Sequence, residues 1–169
     1  MKIDFVKWIE NYGTGIRALV YIMAALSAVS LLFIVVIVMV DVIGRFLGSG
    51  IQGSADYVRL ASAIVMGGAL PYTTAVKGHI AVELIFRRIG KRGKIIVDTI
   101  SRLLMLCLFI LIIIYLIRYG ESLHRSGEVT PTIQLPIYWV PFWLATSFGV
   151  TSLVKIYHIL RPGRELIKP

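Results

Sequence analysis

Residues 18–40 form a run of 23 residues without a single charge. As a helix this run is about 35 Å long, enough to cross a hydrocarbon core of about 30 Å with slight tilt. A secretory signal is the rival reading, but its apolar region is only about 7–15 residues long. The run therefore predicts a retained first membrane span. The rest of the chain agrees: 57% of its 169 residues are hydrophobic and 16% charged, where soluble domains are about 45–50% apolar and about 25% charged.

The chain carries 18 Lys and Arg against 9 Asp and Glu, a net charge of +9. An excess of this size suggests nucleic acid or an anionic membrane surface as partner. Here the basic residues flank apolar runs and form no basic domain, so membrane lipid is expected and nucleic acid is not. Residues 77–94 hold six of the basic residues between two apolar runs, and such loops stay on the cytoplasmic side. With that loop and both termini inside, only Arg45, Arg59, Arg118 and Arg125 lie outside, and the other fourteen lie inside. The single cysteine, Cys107, excludes an intrachain disulfide or a cysteine metal cluster.

In chain order, Phe5, Trp8, Ile9 and Tyr12 share one helical face opposite Asp4, Lys7 and Glu10. This predicts a short amphipathic interfacial helix, broken by Gly13 and Gly15 before the first span. Asp41 and Arg45 follow at i, i+4, and Gly48, Gly50 and Gly53 mark a loop. Ser54 is expected to cap the second span, 57–76, with Asp56 in its first turn and a snorkelling Arg59 one turn deeper. Gly67 and Gly68 permit close helix contact, and Pro71 predicts a kink unless a neighbour compensates. Val82, Ile85, Phe86 and Ile89 predict a second interfacial helix over about 79–90, ended by Gly90 and Gly93.

The third span is expected at 95–119, because the uncharged stretch 103–117 is too short alone and Arg102 and Arg118 can reach the two interfaces. Residues 120–135 read as a loop, and Pro136 and Pro141 fit the first turns of a fourth span at 136–157. Tyr138, Trp139, Phe142 and Trp143 crowd its start like an interfacial aromatic belt. The fold class is an all-α membrane protein, one domain over 1–169, with four transmembrane helices and both termini cytoplasmic in a bacterial inner membrane.

Chemistry-bearing residues are few. His79, beside Gly78 at the inner end of span two, reads as a junction residue, a proton relay or a headgroup contact. With His158 it allows a haem subunit of a membrane redox complex to be imagined, although such a subunit needs histidines inside its spans. Asp41, Asp56, Glu83 and Asp98 all lie near span ends beside basic residues, and read as structural pairs more readily than as ion sites. A small proton-coupled exporter would need a carboxylate at mid-span, and no run contains one. No nucleotide loop, zinc motif or nucleophile elbow is present, so no catalytic, metal or substrate-binding residue is assigned.

Placed on these spans, several short motifs resemble the small membrane subunit, Q type, of tripartite ATP-independent periplasmic (TRAP) transporters, from about residue 18 to 160. Arg45-Phe46-Leu47-Gly48 is similar to the family's Arg-aromatic-x-x-Gly pattern, slightly shortened. Asp56-Tyr57-Val58-Arg59 resembles its acidic start to span two, with Ala55 where a second acid is common. Gly78-His79-Ile80-x-Val82-Glu83 is the closest match, with Glu83 where Asp is usual. Asp98 falls where an acid often opens span three. Leu135-Pro136 and Trp139-Val140-Pro141-Phe142 resemble the start of span four, and Thr146 departs from a proline often found soon after.

The resemblance implies a sodium-driven importer of an organic acid, such as a C4-dicarboxylate, sialic acid or sugar acid. A large membrane subunit (M type) carries substrate and sodium ions, and a periplasmic substrate-binding protein delivers the cargo. The small subunit braces the large one as a scaffold, with no catalytic residue and no cofactor of its own. On this reading the candidates for subunit or lipid contact are Arg45, Asp56, Arg59, Gly67, Gly68, Gly78, His79, Glu83, Arg87, Arg88 and Trp139.

Overall fold

The computed structural model describes residues 2–76 and 91–160, with side chains at 12–76, 100, 101 and 103–157. Four helices run in order: α1 (Lys2–Phe46), α2 (Ser54–Val76), α3 (Lys91–Ser126) and α4 (Trp139–Leu160). The described residues contain no strand, only an isolated antiparallel bridge between Val129 and Pro136 in the α3–α4 connection. The described residues are all-helical, as expected. The interfacial helix expected at 79–90 lies outside the described residues.

Two boundaries differ from the sequence reading. Gly13 and Gly15 do not break the chain, because α1 is one helix of 45 residues, about 67 Å long. An interior glycine costs a helix only about 1 kcal/mol, and Gly13 offsets that by letting α4 approach: a Cβ there would stand 2.9 Å from Tyr157 Cε2. Likewise α3 passes through Gly93 and Gly120 and ends only at Ser126. Gly120 is buried beneath the Phe142 ring, 3.0 Å from where its Cβ would be. At the other side of that connection, Pro136 sits in the bridge before α4, and only Pro141 occupies the helix's first turn.

α1 packs on α2, α2 on α4 and α4 on α3, and α1 also reaches α4. That last contact builds the apolar core at the end of the bundle nearer the amino terminus. There Ile16, Val20 and Met23 of α1 meet Ala75 of α2 and Val150, Val154 and Tyr157 of α4. From Gly13 to Gly44 the covered residues of α1 recur at alternating steps of three and four, Tyr12 and Ala24 apart. This is the 3.5-residue spacing of helices that cross at a shallow left-handed angle. α3 follows the same alternation from Leu106 to Leu123, Ile112 apart, and packs chiefly on α4.

α1 and α3 are long and apolar enough to cross a membrane, over Tyr12–Phe46 and Leu103–Ser126. Only 11% and 6% of their most apolar windows are buried, so neither is the core helix of a water-soluble bundle. α2 and α4, of 23 and 22 residues, are about 33–35 Å long and carry more polar groups.

Candidate subunit-assembly surfaces

At one end of the bundle two carboxylates hold the connecting loops. Asp41, near the end of α1, receives the Arg45 guanidinium at 2.8 Å, the Ile51 N–H at 2.8 Å and the Ser54 hydroxyl at 2.9 Å. The i, i+4 pair is as the sequence predicts. Ser54 is not: its hydroxyl reaches across to Asp41 instead of capping α2, whose first turn is closed by Asp56 and Tyr57 N–H bonds to the Gly53 carbonyl. Gly53 has φ +76°, a conformation that favours glycine.

Asp56 is buried in the first turn of α2. Its carboxylate accepts the backbone N–H of Thr132 at 2.8 Å and of Ile133 at 3.0 Å. The sequence gives Asp56 a basic partner; the fold gives it two amides 76 and 77 residues away. The loop it grips is further closed by Thr130 N–H to Leu135 O, 2.9 Å, and by Leu135 N–H to the Thr130 hydroxyl, 3.1 Å.

Asp56 stands just before the apolar run of α2 and titrates below the ordinary carboxylate range. For Asp56 burial pushes the carboxyl up, but the Ile133 and Thr132 amides and the Thr130 and Thr132 hydroxyls together outweigh it.

Deeper in the bundle α2 is joined to its neighbours through its own carbonyls. Ser27 donates to Val65 O at 2.9 Å, Trp143 Nε1 to Ile64 O at 3.3 Å, and Ser147 Oγ to Gly67 O. Pro71 lacks the N–H that would have bonded Gly67 O, so Ser147 supplies the missing donor and α2 continues through the proline. Trp143 thus faces α2, not a headgroup belt. Gly67 and Gly68 are buried as a packing face: a Cβ on Gly67 would meet the Trp143 indole, and one on Gly68 the Met23 carbonyl and, at 2.8 Å, Ser27 Cβ.

Of the other candidates, Arg45 and Arg59 are exposed and Trp139, the first residue of α4, is half-buried. Gly78, His79, Glu83, Arg87 and Arg88 lie outside the described residues. Ser147 and Ser27 were not singled out by sequence. Their signal is a hydroxyl inside an apolar run, which has to find a partner in the protein.

The hydroxyls of Ser62, Thr74, Thr146, Thr151 and Ser152 turn back to carbonyls of their own helices. The described residues hold no group of three or more His, Cys, Asp or Glu side chains suited to a metal ion. The arrangement can bind helices to one another and offers apolar faces to its surroundings.

A family model described as "Tripartite ATP-independent periplasmic transporters, DctQ component" matches residues 34–165, from the last third of α1 through all of α4. The chain matches no curated protein and no solved structure.

Proposed function

The chain belongs to the DctQ component family of tripartite ATP-independent periplasmic transporters, and from that premise we propose that it is the fixed scaffold on which a large membrane subunit moves cargo. It is a membrane component of a transport system and not an enzyme. We place all four helices across the bacterial inner membrane, with both termini and the 77–94 loop in the cytoplasm, following the asymmetry of basic residues. The carboxylate-held loops then face the periplasm.

One observation supports a scaffold above a carrier. The polar groups between the helices are used up in joining α2 to α1 and α4, while broad apolar faces on α1 and α3 stay uncovered. A carrier needs the reverse: polar or ionisable groups kept open near mid-membrane for its cargo and coupling ion. We assign the ion and substrate sites to the large subunit, sodium as the coupling ion, an organic acid as the cargo, and a periplasmic binding protein as its deliverer.

Reconstitution tests the reading. Proteoliposomes holding both membrane chains, supplied with binding protein and an inward sodium gradient, should accumulate an organic acid; omitting either membrane chain should abolish uptake. Uptake by this chain alone, or full uptake by the large chain alone, would overturn the proposal.

A further inference from the structure

The apolar surface of the bundle is not level. Side-chain contacts fix the relative heights of the helices. Ser27 of α1 meets Val65 of α2, and Trp143 of α4 meets the adjacent Ile64. On α3, Phe109 lies against Phe148, and Gly120 against Phe142. Arg118, two residues before Gly120, therefore stands near the height of Trp143 and so of Ser27. From there to the end of α3, Arg118, Glu121 and Arg125 are exposed. On α2, exposed Arg59 lies between the Ser27–Val65 and Asp41–Ser54 contacts.

At those same heights α1 is still apolar on its outward side as far as Arg45. Its exposed apolar side chains continue through Val35, Met39, Val42 and Ile43 to Phe46, 95% exposed, and Leu47, 81% exposed. From Ser27 to Ile43 is about 24 Å of helix. Three helix-to-helix steps of about 8–10 Å separate α1 from α3 by at most about 30 Å. Tilting the whole bundle until both edges met one bilayer surface would take about 40°, the upper end of the about 0–40° range of membrane helices and twice their average of about 20°.

The uncovered surface is also large. Thirteen large apolar side chains between Val29 and Leu47 are exposed. At roughly 100 Å² each they present on the order of 1,000 Å², more than the about 800 Å² per partner of a stable interface. Among the described residues the exposed large apolar side chains of α3 run from Ile100 to Tyr119, against Leu19 to Phe46 on α1.

We infer that the outward face of α1 from Val29 to Phe46, with Leu47 just beyond it, is the seat of the second membrane subunit, covered by an apolar helical surface of that chain, while the outward face of α3 remains in lipid. This rests on the scaffold reading and adds which face is used. The contact is made by side-chain packing, since the face offers no polar group apart from Arg45 at its tip, already paired with Asp41.

Spin labels on single cysteines test this in a Cys107→Ser background, with Met39→Cys and Val42→Cys on α1 and Leu104→Cys and Leu111→Cys on α3. Oxygen accessibility is read for the chain alone in vesicles and for the co-purified complex with the large subunit. At 39 and 42 accessibility should fall several-fold in the complex; at 104 and 111 it should not change. Unchanged accessibility at 39 and 42 in a purified complex would overturn the face assignment and leave the scaffold reading standing. Protection at 39 and 42 in the chain alone would assign the face to a second copy, and also overturn it. Failure of the two chains to co-purify would remove the scaffold reading and this inference with it.

Discussion

Ser147 donates its hydroxyl to the Gly67 carbonyl, the acceptor that Pro71 leaves without a helical donor. A proline inside a helix costs about 3 kcal/mol or more, partly through that lost bond. Here the loss becomes a tie between α2 and α4. The same stretch of α2 accepts from Ser27 and Trp143 at successive carbonyls, so α2 is tied into the bundle from both sides at one height.

Replacing Ser147 by Ala should destabilise the bundle by about 1 kcal/mol, within the about 0.6–1.7 kcal/mol measured for hydrogen bonds between membrane helices. In a Pro71→Ala background the same change should cost less, because the N–H of the new alanine reaches Gly67 O. A double-mutant cycle of unfolding in mixed micelles measures the difference; an equal cost in both backgrounds would disprove the compensation.

Gly15 and Gly68 should respond oppositely to alanine. Nothing lies within 4 Å of a Cβ at Gly15, so Gly15→Ala should be neutral or stabilise by up to about 1 kcal/mol through helix propensity. At Gly68 the Cβ meets the Met23 carbonyl and Ser27, and a backbone atom cannot turn aside. Gly68→Ala should cost about 1–3 kcal/mol, the range for overpacking. Thermal unfolding of the two variants in one detergent makes the comparison.

Asp56 gives the loop at 130–135 an acid limit. Its folded carboxyl titrates below the ordinary value, so the unfolded chain takes up its proton first as pH falls. The stabilisation is therefore complete above the unfolded value, about 3.9, and is lost as pH falls through the lower folded value. Amide exchange at Thr132 and Ile133, corrected for intrinsic rate, should stay slow from pH 7 to 5 and accelerate only below about 4. Asp56→Ala should speed it at neutral pH by about tenfold or more, as the loss of charge-assisted bonds predicts.

Orientation is checked by labelling. In a Cys107→Ser background, Ser126→Cys at the end of α3 should react with a membrane-impermeant thiol reagent added to intact cells with opened outer membranes. Lys91→Cys at its start should react only after the inner membrane is permeabilised. The reverse order would invert the topology.

The sequence alone settles the membrane class and the helical content, because each depends on residues taken singly or in short runs. Twenty-three uncharged residues admit little else than a span. It could not settle the helix ends at Gly13 and Gly120, because a glycine that breaks an isolated helix is the best residue where another helix must come close. Tyr157 and Phe142 decide those positions from far along the chain. Nor could it choose the buried face of α1, since core and lipid both favour aliphatic side chains and an all-round apolar helix has no preferred side. The trace was there in Gly13, Ser27, Ser30, Asp41 and Gly44, the small and polar members of the 3.5-residue seam, but only the fold supplied their partners. Asp56 is the clearest case: Arg59 at i+3 suggests a helix-end pair, and what it holds is the backbone of a loop 76 residues away.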